Sequence, residues 1–223
     1  VEEGSILSNA VYDRLREGLM RAELAPHQRL KVRDLAREMG TSETPVREAL
    51  IQLARDGAVE IKPRHYIRVR RLNFDDYRQI RDMRLLLEPM AAERALLRIT
   101  PAEIDALVGV HEALIAAEEG EDWPVALQTN FDFHFGLYRT SGQRQLIDVL
   151  ESLWVRIGPT LSALYPDAKP RYAARHQHEN IIDALRSRDP FALRLAVQLD
   201  LIEGGAQLAD RLKQADETAP AAP

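Results

Sequence analysis

Apolar residues recur at the helical period along nearly the whole 223-residue chain, and the pattern changes to strict alternation only between residues 58 and 70. A chain patterned this way is mainly α, with room for one small hairpin. Only 6% aromatic residues and eleven glycines also argue against a β-rich fold.

Ser8 is placed to cap a first helix that stacks Val11, Leu15 and Leu19 on one face and stops before Ala25-Pro26. A short helix over 32–39 turns Leu35, Ala36 and Met39 inward and closes at Gly40. Ser42, expected to cap, then precedes Glu43, Thr44 and Pro45, a start signal for a helix that buries Val46, Leu50 and Leu53 and stops at Gly57. Only Gly40 to Ser42 separate these two helices, which is helix-turn-helix spacing. Beyond Gly57, AVEI (58–61) and YIRVR (66–70) flank Lys62-Pro63-Arg64-His65 and read as a hairpin with a basic tip. Residues 1–72 are therefore expected to form a winged helix-turn-helix.

From residue 73 the helical period returns. Helices are expected near 74–98, 101–119, 123–140, 143–164, 171–187 and 190–213, with cap-and-proline starts at Thr100-Pro101, Asp122-Trp123-Pro124 and Asp189-Pro190. Short joints between them describe an antiparallel six-helix bundle over 73–215. The tail, 216–223, is expected to be disordered.

Net charge divides the chain along the same line. Residues 1–72 carry fourteen Arg or Lys against eleven Asp or Glu, net +3, and the remainder carries sixteen against twenty-four, net −8. A basic front half fits a polyanion-binding module, and the acidic rear half fits a domain of another purpose. No apolar run approaches the roughly 20 residues that a membrane-crossing helix needs. The start, VEEGSILSNAVYDRLREGLM, lacks the basic opening and apolar stretch of a secretion signal. The absence of cysteine removes disulfides and thiolate sites and fits a reducing compartment, so a cytoplasmic location is expected.

A recognition helix reads base edges with its first turns while neighbouring groups hold phosphates. Those turns here present Ser42, Glu43, Thr44 and Arg47, and Arg47 can fork onto a guanine or grip a phosphate. Arg33 opens the preceding helix, and Arg64 and His65 at the hairpin tip are placed for the adjacent minor groove. Arg37 and Arg55 are expected to face solvent.

The stretch LKVRDLAREMGTSETPVREALIQLARDGAVEIKPR resembles the N-terminal reader of the GntR family, whose pattern has a TPVREAL core and a closing L-x-x-x-G. Residues 73–223 resemble the FadR-type, or FCD, effector domain in its shorter VanR-like form. The resemblance implies DNA contacts by Arg33, Ser42, Thr44 and Arg47. Two positions depart from it. Glu43 stands where the family often has arginine, and Tyr66 stands where the wing customarily has glycine, which puts minor-groove entry by the wing in question.

In QTNFDFHFGLYRTSG, Asn130 and His134 are four apart and share one helix face, as two ligands of one ion would. His178 follows on a later helix with Ile181, Ile182 and Leu185, and Asp200 lies on the last. The FCD resemblance implies a metal set of an Asp, a His four residues later and two further His. These positions fall on Asn130, His134, His178 and Asp200, with the outer pair exchanged. Amide and carboxylate oxygens with two imidazoles suit Zn, Ni or Mn. A metal-free polar cavity at the same place is the alternative. Arg84 resembles the arginine of the family's R-x-x-x-E motif, and it and Arg156 are the candidates for binding an effector carboxylate. For Arg84 the alternative is an intrahelical pair with Glu88. His111 and His176 are expected at the surface, and Trp123 and Trp154 are expected to pack.

The expected function is a ligand-responsive transcriptional regulator, a repressor, acting as a homodimer on palindromic operator DNA and sensing a small carboxylate. The alternatives are a constitutive DNA-binding protein whose rear bundle only dimerises, and a helical-bundle metalloenzyme. For the enzyme no general base stands out beside an activated water, and residues 26–72 would go unexplained.

Overall fold

A computed structural model describes residues 2–218. In chain order the elements are α1 (Glu2–Met20), α2 (Val32–Glu38), α3 (Glu43–Arg55), β1 (Val59–Lys62), β2 (Tyr66–Val69), α4 (Phe74–Leu96), α5 (Pro101–Glu119), α6 (Trp123–Arg139) and α7 (Arg144–Leu161). A 3-10 turn (Ser162–Leu164), α8 (Gln177–Ser187), α9 (Pro190–Glu203) and α10 (Ala206–Thr218) complete it. Two compact units divide the chain. One takes the described residues through Leu72 together with Trp154–Ser162, and the other takes Asn73–Leu153 and the described residues from Ala163 onward. No helix among the described residues is long and apolar enough to cross a membrane.

In the first unit α1 packs on α3, burying Val11, Leu15 and Leu19 with Val46, Leu50 and Leu53. The helix begins before Ser8, which lies inside α1 and is buried, so it does not cap. Gly40 takes φ +61°, a left-handed turn that reverses the chain between α2 and α3 where a side chain would be strained. β1 and β2 pair antiparallel from Val59↔Val69 to Lys62↔Tyr66 and leave Pro63, Arg64 and His65 as the tip. Arg64 holds the left-handed position at φ +63°, whereas Tyr66 is ordinary extended strand. An isolated antiparallel bridge between Arg29 and Arg68 extends the hairpin: Leu30 N donates to Ile67 O at 2.8 Å and Val69 N to Gln28 O at 3.0 Å.

In the second unit α4 packs on α9 and α6, α5 on α6 and α8, α8 on α9, and α10 on α4. Thr100 and Glu103 form a reciprocal capping box, and Asp122 and Asp189 cap α6 and α9 through their carboxylates. Pro89 lies inside α4 and cannot donate to Leu85 O, and Gln198 Nε2 from α9 makes that bond instead at 3.2 Å. Ala91, Ala92, Ala95, Phe133, Leu137, Leu150, Ile181, Leu185, Leu193 and Val197 fill the core.

Three expectations are corrected here. Among the described residues seven α-helices follow Asn73 rather than six, because the last expected helix breaks at Gly204-Gly205. A Cβ on Gly205 would stand 2.6 Å from the Tyr77 hydroxyl, which occupies that space. Residues 171–176 are not helical, and α8 starts at Gln177. The expected disordered tail is helical through Thr218, where Asp216 accepts from Phe74 N at 2.5 Å, placing a carboxylate at the start of α4. Residues 219–223 of that tail lie outside the described residues.

Candidate nucleic-acid interface and metal centre

The first turns of α3 carry a small charge cluster. Glu43 opens the helix and accepts from Arg47 Nη2 one turn later at 2.7 Å, while Arg33 Nε at the start of α2 stands 3.7 Å from the other Glu43 oxygen. Both arginine side chains remain in solvent, Arg33 87% and Arg47 59% exposed. Surface pairs of this kind contribute at most about 1 kcal/mol, so a phosphate or a guanine can replace the carboxylate. Ser42 holds the N-cap position with extended backbone, but its side chain makes no capping bond, contrary to the expected cap. Ser42 and Thr44 are exposed. At the wing, Arg64 and His65 are exposed at the tip, while Arg68 bonds Glu60 at 2.9 Å and lies 4.4 Å over the Tyr66 ring. The tyrosine in the wing therefore serves as a platform for Arg68. Arg37 is exposed and bonds Asp34.

The second site is buried in the rear unit. His134 from α6, His178 from the first turn of α8 and Asp200 from α9 converge. His134 Nε2 is 3.3 Å from Asp200 Oδ2 and 3.4 Å from His178 Nε2, and His178 Nε2 is 3.9 Å from Asp200 Oδ1. A relay behind them fixes the His134 ring. Arg84 Nε donates to Glu88 at 2.6 Å, and the Tyr138 hydroxyl donates to the same carboxylate at 2.8 Å. With its proton given to Glu88, the Tyr138 oxygen accepts from His134 Nδ1 at 3.2 Å. His134 thus turns its Nε2 lone pair toward Asp200 and His178. If His178 carries its proton on Nε2, it can donate to His134. With the proton on Nδ1, three lone-pair donors meet and a cation belongs between them.

Electrostatics agree with a neutral His178. Burial pushes His178 well below its usual range, lowers His111, and takes His176 down to about 4. Burial works to raise the Asp200 carboxyl, and it is held well below the usual carboxylate range only when His134 carries a proton on Nε2 as well and the surrounding imidazoles are charged. Burial, reinforced by Glu88, pushes the Tyr138 hydroxyl far up, so it keeps its proton.

Of the four metal positions read from sequence, His134, His178 and Asp200 are gathered, and Asn130 lies half-buried one turn before His134. Neither candidate effector arginine is among the gathered ligands. Arg84 is buried and bonded to Glu88, so the intrahelical pair forms. Arg156 donates from Nε to Asp56 O at 2.7 Å within the first unit. Sequence reasoning missed three residues. Tyr172, from the irregular segment before α8, donates to Asp200 Oδ1 at 3.1 Å. His111 is buried rather than at the surface, and half-buried His176 packs against it at a tilt, with ring centroids 4.9 Å apart. Trp154 is buried and Trp123 stacks on Tyr165, as packing residues do.

The FCD domain model matches residues 79–202, and the model for bacterial regulatory proteins of the gntR family matches residues 7–69. The HTH-type transcriptional regulator McbR of Escherichia coli (strain K12) is 31% identical over 185 residues, 82% of this chain and 84% of the relative. The structure of E. coli McbR/YncC superposes with a TM-score of 0.83 at 29% identity, covering 92% of this chain and 98% of the other. A probable D-xylose utilization operon transcriptional repressor of Paenarthrobacter nicotinovorans is 30% identical over 157 residues, 70% of this chain and 69% of the relative.

Proposed function

Because the chain belongs to the gntR family of bacterial regulatory proteins and carries an FCD domain, making it a transcriptional regulator and not an enzyme, we propose that it is a ligand-responsive repressor acting in the cytoplasm. It binds a palindromic operator as a homodimer and releases it when a small carboxylate occupies the rear unit. The observation that carries this reading is the exposed Arg33–Glu43–Arg47 cluster on the first turns of α2 and α3. Ser42 and Thr44 hold phosphates beside it, and Arg64 and His65 follow the neighbouring groove. Repression is supported by the description of the Paenarthrobacter relative.

One reader covers only a half-site, so pairing multiplies affinity through effective concentration. An apolar stripe supports the dimer: Met83, Leu86 and Met90 on α4, Leu97 at its C-cap, and Phe191, Leu195 and Ile202 on α9 are large and solvent-exposed, and α4 packs on α9.

The buried cluster is the sensor. Its donor set, two imidazoles and a carboxylate, fits Zn, Ni or Mn, and a His134 that donates from Nδ1 to Tyr138 offers Nε2 as such an ion requires. His134, His178 and Asp200 would hold the ion, with the Asn130 amide oxygen as a fourth ligand. When bound it supplies open coordination positions to an incoming carboxylate. Arg84 and Glu88 act through Tyr138 to hold His134 in place, and Tyr172 steadies Asp200 from the other side. Effector binding then shifts the balance between two placements of the paired readers, and only its differential affinity for them changes DNA affinity.

The test is anisotropy with a duplex selected from a random pool, titrated across a salt series. The reading requires a steep fall in affinity with salt and a clear preference over random duplex. Salt-insensitive binding, or no preference, overturns it.

A further inference from the structure

The buried histidines extend past the sensor cluster. His111 on α5, His176 at the N-cap of α8 and His178 two residues on each bring a ring nitrogen within 4.8 Å of the others. Ring centroids are 4.9 Å apart for His111–His176, 4.4 Å for His176–His178 and 5.5 Å for His111–His178. Phe133 stacks on His178 at 3.7 Å and fixes its plane. Nδ1 of His111 and Nδ1 of His178 are both buried without a hydrogen-bond partner. The opposite nitrogen of each faces a carboxylate: His111 Nε2 is 3.9 Å from Glu179 and His178 Nε2 is 3.9 Å from Asp200. A carboxylate on one side of an imidazole keeps the proton there and leaves a lone pair on the other side. Two buried lone pairs with nothing to accept them are costly unless a Lewis acid fills the gap.

We propose that His111, His176 and His178 form a second cation site, a three-imidazole set for a borderline divalent ion such as Zn2+, Ni2+ or Cu2+. With no oxygen among the three ligands, it selects against Mg2+ and Ca2+. His176 now accepts the His178 amide proton through Nδ1 at 3.1 Å. Ligation through Nδ1 uses that lone pair, and ligation through Nε2 moves the ring proton onto Nδ1. Either way the α8 capping bond is exchanged for a metal bond. His178 couples the two sites. An ion at the sensor cluster takes Nε2 and puts the proton on Nδ1, whereas an ion at the second site takes Nδ1 and puts it on Nε2. A neutral His178 serves one at a time, so the two sites compete for a single ion. The inference needs neither operator nor effector and shares only His178 with the sensor reading.

The experiment strips the full chain with a chelator, reloads it with Zn2+, desalts it and counts bound zinc. The variant His134→Gln with Asp200→Asn removes two sensor ligands, and it should still hold one zinc per chain. Adding His111→Gln and His176→Asn should cut that uptake at least tenfold. Asparagine is a good N-cap, so α8 keeps its start in the second variant. If the first variant unfolds by circular dichroism, His134→Gln alone, which leaves Asp200 facing His178, is read in the same way. Zinc lost with the sensor ligands alone, or zinc that survives replacement of His111 and His176, overturns the proposal.

Discussion

The Glu43 carboxylate accepts from Arg47 Nη2 at 2.7 Å across the first turn of the recognition helix, at a position where the family often has arginine. The acid holds Arg47 in one pose and cancels part of its charge, at the expense of phosphate attraction. Glu43→Gln keeps the shape and removes the charge. Affinity for random duplex should then rise several-fold and the salt slope should steepen by about 1. Arg47→Ala should instead weaken operator binding by about 1–3 kcal/mol. Anisotropy with operator and random duplex measures both. Random-duplex affinity unchanged in Glu43→Gln would show that the carboxylate does not restrain the arginine.

Tyr138 joins Glu88 to His134, and its loss isolates the relay from the ligands. Tyr138→Phe keeps the buried ring but deprives His134 Nδ1 of its acceptor and Glu88 of a donor. Zinc affinity should fall by about 10- to 100-fold, the usual effect of removing a partner behind a metal-bound histidine. Stability should drop by about 1–3 kcal/mol from the unpaired buried groups. Chelator competition and thermal melts separate the two effects. A melt that shifts while zinc affinity holds would leave Tyr138 a purely structural residue.

What the sequence makes legible follows from the range of each signal. The helix-turn-helix is local: Gly40, Ser42 and the Val46–Leu50–Leu53 spacing all act within a few turns, and each stands where expected, although Ser42 makes no capping bond. His134, His178 and Asp200 are legible through a family pattern whose spacing survives even though two of its residue types do not. Tyr172 carries no such signal, because it lies in an irregular segment where periodicity gives no orientation. His111 reads as one polar residue on a helix whose buried face becomes visible only when α6 and α8 pack on it. The segment at residues 27–30 pairs with β2 through backbone bonds alone, so its polar side chains give no strand pattern. The break at Gly204-Gly205 was written in two glycines, but the helical period on either side carries the reading through them.

The exposed stripe on α4 and α9 gives a prediction about assembly. Leu86 is 70% and Phe191 83% exposed, too much apolar surface for an unpaired face. Leu86→Glu with Phe191→Glu places like charges at the centre of an isologous contact. Light scattering should report a dimer for the parent chain and a monomer for the variant. Operator affinity should fall by about 100-fold or more as effective concentration is lost. A variant that remains dimeric would assign the interface to another surface.

Arg156 separates two roles that one substitution can test. Its Nε donates to Asp56 O at the C-cap of α3, where a cation opposes the negative end of the helix dipole. If that bond is its work, Arg156→Ala should destabilise the chain by about 1–2 kcal/mol without any ligand present. For a chain of this size the melting temperature then falls by roughly 2–8 °C. Arg156→Lys keeps the charge and loses the directed guanidinium bond, so it should recover part of the loss. An arginine that bound an effector would behave in the opposite way. Its alanine variant would melt with the parent when ligand-free and would lose only the stabilisation that a ligand adds. Melts of the three chains, with and without a panel of small carboxylates, therefore assign Arg156 to the reader or to the sensor.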